Sequence, residues 1–297
     1  MRTPLGQGVT RRQFLQTGGA AALGLAGPPG LLRAADGGAG KQDPFGGFTL
    51  GVQSYTFRNF NLEGALKGIH DLGLRHVEFA TNHVKADSSP GQIAAVLRLC
   101  RDYAITPVAY GVQHFSKDHD ANKKAFDFGK QLGIRAFSAD PDPDSFDSLD
   151  KLCDEYKIAI AIHPHGPQGK RLHRWYSAEI IMAAVKDHHP LIGSCLDTGH
   201  LIRSAQPPFN KKLVPQDQVR VMDGRNFGMH LKDHDNTRDT DVPFGQGVLD
   251  VPAVLKALRD VHFKGAISIE YEAHPEAPSA DVKECVAVFE ESVKKLA

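Results

Sequence analysis

The sequence is poor in long apolar runs, in tryptophan and in cysteine, and each shortage excludes something. The best apolar stretch, Phe14 to Gly27, is interrupted by Gln16 and Thr17. A membrane-crossing helix needs about 20 predominantly apolar residues, so no stable membrane span is expected. Cys100, Cys153, Cys195 and Cys285 are scattered through apolar patterns with no Cys-x-x-Cys spacing. They read as small buried hydrophobes rather than a disulfide framework. No Gly-x-Gly-x-x-Gly follows a strand pattern, which argues against an open dinucleotide-binding sheet. Repeats, charge blocks and coiled-coil heptads are missing as well, so nothing suggests a scaffolding role. Net charge is also lacking, with 35 basic and 35 acidic residues. The basic footprint of a nucleic-acid-binding protein is absent.

What is present begins with an address. Thr10-Arg11-Arg12-Gln13-Phe14-Leu15 is a twin-arginine signature, and the small-residue run to Gly27 is an apolar h-region. Residues 1–35 are therefore expected to be a signal peptide read by the twin-arginine export machinery, with a periplasmic or otherwise exported destination. Cleavage is expected near Ala34 or Ala35, without a clean Ala-x-Ala site. Such cargo crosses the membrane folded, so a metal or cofactor can be inserted first. The segment holds Arg2, Arg11, Arg12 and Arg33 and no acid, which leaves 31 basic against 35 acidic residues, a mildly acidic body. A flexible, Gly-rich linker is expected over residues 36–47 and a single domain over 48–297.

The body alternates short apolar runs with amphipathic segments, the signature of parallel strands joined by helices. Eight units can be counted. Strands are predicted at Thr49 to Ser54, His76 to Ala80, Thr106 to Gly111, Arg135 to Ala139, Ile158 to His163, Leu191 to Asp197, Asn226 to Leu231 and Ala266 to Tyr271. Helices are predicted at 62–72, 89–103, 121–132, 146–156, 178–187, 251–261 and 280–296. Gly73, Gly133 and Gly265 stand where helices would end in a left-handed residue. Near-continuous apolar strands imply cover on both faces, so the expected fold is α/β, a closed (β/α)8 TIM barrel.

Polar residues load one rim of that barrel, at the carboxyl ends of the strands, where barrel enzymes keep their chemistry. Gln53 and Tyr55 follow the first strand and Glu78 ends the second. His163 and His165 end the fifth, Asp197 and His200 the sixth, His230, Lys232, Asp233 and His234 the seventh, and Glu270 and Glu272 the eighth. His163, Asp197, His230 and Glu270 each close an apolar run, and together they read as a metal site. Two histidines and two carboxylates suit Mn, Fe, Co, Ni or Zn. Glu270, His165, His200 and Lys232 are the candidate acid/base groups. Gln53, Tyr55, Glu78, Trp175 and Glu272 are candidate substrate contacts, with Trp175 placed either to stack on a sugar ring or to pack. Asp233 or Glu272 is expected to orient a ligating histidine. The histidines at 83, 114, 119, 173, 188 and 189 are expected on solvated surface.

Asp197-Thr198-Gly199-His200, Met229-His230-Leu231-Lys232-Asp233 and Ile269-Glu270-Tyr271-Glu272, with Gln53-Ser54-Tyr55 and Phe244-Gly245-Gln246-Gly247, carry a resemblance. The chain resembles the xylose isomerase-like TIM barrel superfamily of sugar isomerases and epimerases over most of residues 48–297. The resemblance implies one divalent metal held by Asp197, His230 and Glu270. The fourth ligand position, a glutamate on the fifth strand in the epimerases, is His163 here. That departure breaks the pair of opposed glutamates with which the epimerases move protons. The implied activity is an exported sugar isomerase or epimerase that abstracts a proton next to a metal-bound carbonyl of a small carbohydrate. A metal-dependent lyase cleaving keto-glycosides by β-elimination needs only one base and is the alternative. A carbohydrate-binding barrel without catalysis is the alternative from another class. Barrels of this superfamily often pair, so a homo-oligomer is compatible with the resemblance.

Overall fold

A computed structural model of the chain describes residues 43–296. The expected signal peptide and all but the end of the expected linker lie outside the described residues. Eight parallel strands close into a barrel: β1 (Thr49–Gln53), β2 (His76–Phe79), β3 (Thr106–Phe115), β4 (Ala136–Pro141), β5 (Ala159–Ile162), β6 (Ile192–Asp197), β7 (Asn226–Leu231) and β10 (Ala266–Ile269). Neighbours follow chain order around the ring, and β1 seals it against β10. The short antiparallel pair β8 (Asp233–Asp235) and β9 (Thr240–Val242) stands between β7 and the next helix. Among the described residues no helix is long and apolar enough to cross a membrane.

The strands alternate with α1 (Leu62–Asp71), α2 (Pro90–Asp102), α3 (His119–Leu132), α4 (Phe146–Tyr156), α5 (Ala178–Val185), α8 (Val251–Asp260) and α9 (Ser279–Lys294). Their starts are local sequence decisions. Asn61, Asp118 and Asp250 each accept a backbone N–H of the first turn, and Ser89 with Gln92 forms a capping box. Two helices escaped the sequence reading, α6 (Thr198–Arg203) and α7 (Pro215–Met222). The first is short, and its N-cap is the functional residue Asp197. Strand β3 runs four residues beyond its expected end, and β10 stops before Glu270.

Gly73 and Gly133 have φ of 80° and end their helices as expected. No other atom lies near a Cβ placed at Gly133, so Gly133→Ala isolates the backbone cost. A loss of about 1 kcal/mol in urea unfolding is expected. Gly265 departs from the expectation. The left-handed residue after α8 is His262, with φ of 55°. Gly265 is small because a Cβ there would stand 2.3 Å from the Phe227 carbonyl oxygen.

Phe115, Phe126, Phe137, Tyr110 and Phe128 pack edge to face between the barrel wall and α3. The barrel interior is thinner. Ala109, Ala136, Ala159, Ala161 and Cys195 leave a cavity of about 330 Å³ toward the amino ends of the strands. Barrels usually fill that space with branched side chains. This void is mainly apolar, and its polar end is Glu78, below the site described next. All four cysteines are buried and unbridged.

Candidate metal centre

Asp197 is the last residue of β6, and the parallel register sets it opposite His230 on β7. His163 leaves β5 one residue past its end and donates its backbone N–H to the Ala139 carbonyl at 2.8 Å. Glu270 leaves β10 in the same way, held by the Leu231 carbonyl at 3.2 Å. Four strand ends thus aim four side chains inward. One ligand atom from each of His163, Asp197, His230 and Glu270 lies within 4.8 Å of the other three, and all four residues are buried.

Within the cluster His163 Nε2 is 2.9 Å from His230 Nδ1, which is also 3.2 Å from Glu270 Oε2. Asp197 Oδ1 accepts the His200 backbone N–H at 2.7 Å and caps α6. Its Oδ2 is fully buried without a hydrogen bond. Its neighbours His163 Nε2 and Lys232 Nζ stand 3.5 Å away, and a metal ion in the cluster would give this buried oxygen a direct partner. The donor set of two imidazoles and two carboxylates fits a divalent transition metal.

The orienting partner of His230 is Glu78, which the sequence reading had placed against substrate. Glu78 is 2 % exposed and reaches across the barrel axis from β2. Both its oxygens lie 2.9 Å from His230 Nε2. Ser138 Oγ donates to one oxygen and Ser268 Oγ to the other, the latter at 2.8 Å. The carboxylate therefore holds a proton on Nε2 and leaves Nδ1 as the nitrogen that faces the cluster and would ligate a metal on giving up its own proton, as outer partners of metal-bound histidines arrange. Asp233 and Glu272, the expected orienting groups, do other work. Asp233 accepts the backbone N–H groups of His234, Gly245, Gly247 and Leu249 and so folds the loop after β9.

Lys232 is the cation of the site. Its Nζ lies 2.5 Å from Glu272, 3.0 Å from Glu270 and 3.5 Å from Asp197. A Cβ on Gly199 would fall 2.5 Å from the Lys232 stem, so the glycine gives this side chain its course. Burial opposes the charge on Lys232, but Asp197, Glu270 and Glu272 outweigh it and hold the ammonium well above its ordinary pKa. In return Lys232 overcomes the burial of Asp197 and Glu270 and holds both carboxyls below the usual range. Lys232 is thus a fixed positive charge and not a base.

Around His163 stand His165, 4.7 Å away between ring centres, and His200 at 5.5 Å. Burial, with His163 and His173 beside it, pushes the His165 pKa down to about 3. Burial likewise keeps His200 well below the ordinary value. Both are neutral imidazoles near neutral pH. His173, expected on the surface, is buried with its ring 4.7 Å from that of His165 and Nε2 3.5 Å from Asp140.

Two expected substrate contacts, Trp175 and Gln53, are placed otherwise, and so is His83, expected on solvated surface. Trp175 is buried; its Nε1 donates to the Pro141 carbonyl at 3.0 Å and its ring packs on Phe146. Packing, not stacking on a sugar, is its role here. Gln53 is buried too, donating to the Gly111 carbonyl and accepting from Tyr55 N–H, so its amide holds backbone. His83 bridges Ser54 and the Phe60 carbonyl. Tyr55 and Glu272 do reach the open rim. Tyr55 is 39 % exposed under the Arg58 guanidinium, and Arg58 donates to the Glu272 carbonyl. Beside Lys232 and Glu272 a polar pocket of about 220 Å³ is completed by Arg203, His234, Asp239 and Asp241. Of these, His234 was expected at the rim, whereas Arg203, Asp239 and Asp241 were not singled out in the sequence.

An eight-stranded parallel barrel with a buried two-histidine, two-carboxylate cluster at the carboxyl rim defines a TIM-barrel protein with its polar groups at the face where such barrels work. The profile of the family described as xylose isomerase-like TIM barrel matches residues 66–292. The chain belongs to that family. No curated protein matches it by sequence. Among solved structures it is similar to an uncharacterised protein from Parabacteroides distasonis ATCC 8503, with 24% identity, 84% of this chain and 99% of that one covered, and a TM-score of 0.62. It is similar also to D-psicose 3-epimerase with D-tagatose from Clostridium cellulolyticum H10, with 13% identity, 83% and 99% covered, and a TM-score of 0.63. A xylose isomerase-like TIM barrel protein from Mycobacterium smegmatis in complex with magnesium gives 12% identity, 84% and 97% covered, and a TM-score of 0.63. At these identities the likeness is one of fold.

Proposed function

We propose that the protein is a divalent-metal-dependent sugar isomerase or epimerase, with His163, Asp197, His230 and Glu270 as the metal ligands. The observation that carries this reading is the convergence of those four side chains around Asp197 Oδ2, a buried oxygen that receives no hydrogen bond. Family membership and the sugar epimerases among proteins of the same fold support it. A bound divalent ion would supply Lewis acidity toward a sugar carbonyl and so lower the pKa of the neighbouring C–H.

The remaining chemistry belongs to the protein. The substrate enters through the polar pocket, where Glu272, Arg203, Asp239 and Asp241 offer hydrogen bonds to hydroxyl groups. Glu270, kept ionised by Lys232, takes the proton from the carbon beside the carbonyl. The Lys232 ammonium faces the oxygen on which negative charge develops. Two glutamates on opposite faces are not available, because His163 stands at the fifth strand. That substitution favours a one-base reaction, isomerisation or the β-elimination of an oxidised glycoside, over two-base epimerisation. The twin-arginine segment extends the proposal to a protein that acts after export.

The test is incubation of the metal-loaded protein with ketohexoses in D2O, followed by NMR. Deuterium at the carbon next to the carbonyl of an intact sugar is expected, and it should vanish in Glu270→Gln. Release of an aglycone from a keto-glycoside without such exchange would replace isomerase by lyase. Absence of both reactions with every metal tried would leave a binding barrel.

A further inference from the structure

His163, His165 and His200 form a second constellation, of which the reading above uses only His163 as a ligand. One nitrogen from each ring lies within 4.8 Å of the other two. The Nδ1 atoms of all three are buried and have no hydrogen-bond partner. A single unpaired buried imidazole nitrogen costs about 1–3 kcal/mol, so three in one place mark a site made to be filled. Gly166 keeps the approach open, since a Cβ there would stand 3.2 Å from His200 Nδ1. The set contains no carboxylate, and Asp197 Oδ1 beside it is engaged by the His200 backbone N–H.

We propose that His163, His165 and His200 bind a second divalent ion, with His163 lying between the two sites. Its Nε2 faces His230 and the first cluster, and its Nδ1 faces away from it, unpaired. Two neutral imidazoles, with His163 as an imidazolate that releases its remaining N–H proton to solvent when both ions are bound, are borderline-soft donors that leave an open position. They select Zn, Co, Ni or Cu and discriminate against Mg and Mn, which prefer oxygen ligands. The two sites therefore differ in selectivity, because the first cluster offers carboxylate oxygens as well. A second ion here would give the pocket another electrophile, able to take a second substrate oxygen.

The test counts ions, not turnover. The metal-stripped full-length protein is titrated separately with zinc and with manganese, and bound metal is measured by elemental mass spectrometry after gel filtration. Two zinc ions but one manganese ion per chain are expected. His165→Ala and His200→Ala should each hold one zinc and still one manganese. One zinc in the unmodified protein, or two that survive both substitutions, would overturn the second site and leave the first intact. Binding of neither metal would overturn both the second site and the metal-dependent reading. Far-UV circular dichroism controls for folding of the variants. If a variant fails to fold, the zinc-to-manganese ratio of the unmodified protein decides, with equal counts refuting the proposal.

Discussion

Lys232→Met is expected to lower stability by about 3–5 kcal/mol in the metal-free protein, and added metal should restore most of the loss. The buried ammonium is surrounded by Asp197, Glu270 and Glu272, the first two buried and the third at the rim. Removing it leaves like charges facing one another where little water can screen them. A divalent ion between Asp197 and Glu270 would replace the missing charge, and it would bind more tightly because no ammonium competes. At a thousandfold excess over Kd, binding to the folded state contributes about 4 kcal/mol. Thermal unfolding with and without manganese checks this. An equal loss under both conditions would show that Lys232 does not share its carboxylates with a cation. Activity in the variant should fall even when it is saturated with metal, since the charge facing the developing oxyanion is gone.

Glu78→Ala should be as damaging, for a different reason. Three groups depend on that carboxylate: His230 Nε2 at 2.9 Å and the Ser138 and Ser268 hydroxyls. Burial opposes the Glu78 charge, but His230 outweighs it and holds the carboxyl below its ordinary pKa. On His230, burial is likewise outweighed, by Cys195, Glu78 and Glu270, and its pKa stands well above the histidine value. Breaking a buried pair of this kind costs about 3–5 kcal/mol. Urea unfolding of the metal-free variant measures it. The milder Glu78→Gln keeps an acceptor for the Nε2 proton and should fold, but with metal affinity reduced about 10–100-fold, as is usual when an outer partner is altered. Unchanged affinity in Glu78→Gln would mean that His230 is not a ligand through Nδ1.

Much of this architecture was legible because it is written locally. Strands and helices follow from apolar runs that alternate with amphipathic segments and from the left-handed Gly73 and Gly133. The rim followed too, since a residue that closes a buried strand in a parallel barrel has only one end at which to emerge. His163, Asp197, His230 and Glu270 were named on that ground alone, and the structure places them together. The assignments that failed depend on distance across the barrel. Glu78 sits 152 positions from His230 in the chain, and only closure of the sheet brings them together. The short α6 and the β8–β9 pair carried too little periodicity to be read, yet they position His200 and supply Asp241.

The sequence by itself therefore determined the order of eight strand–helix units, the buried cysteines and the side chains at the rim. Periodicity and end signals are properties of neighbouring residues and need no partner to be expressed. Only the tertiary structure decided what each polar group does. It made Glu78 a partner of His230, Trp175 a packing group, Asp233 a loop anchor, Lys232 a fixed cation, and three histidines a cluster with unpaired nitrogens. Charge, proton affinity and hydrogen-bond satisfaction are set by whatever lies within a few ångströms, and barrel closure, not position along the chain, chooses those neighbours.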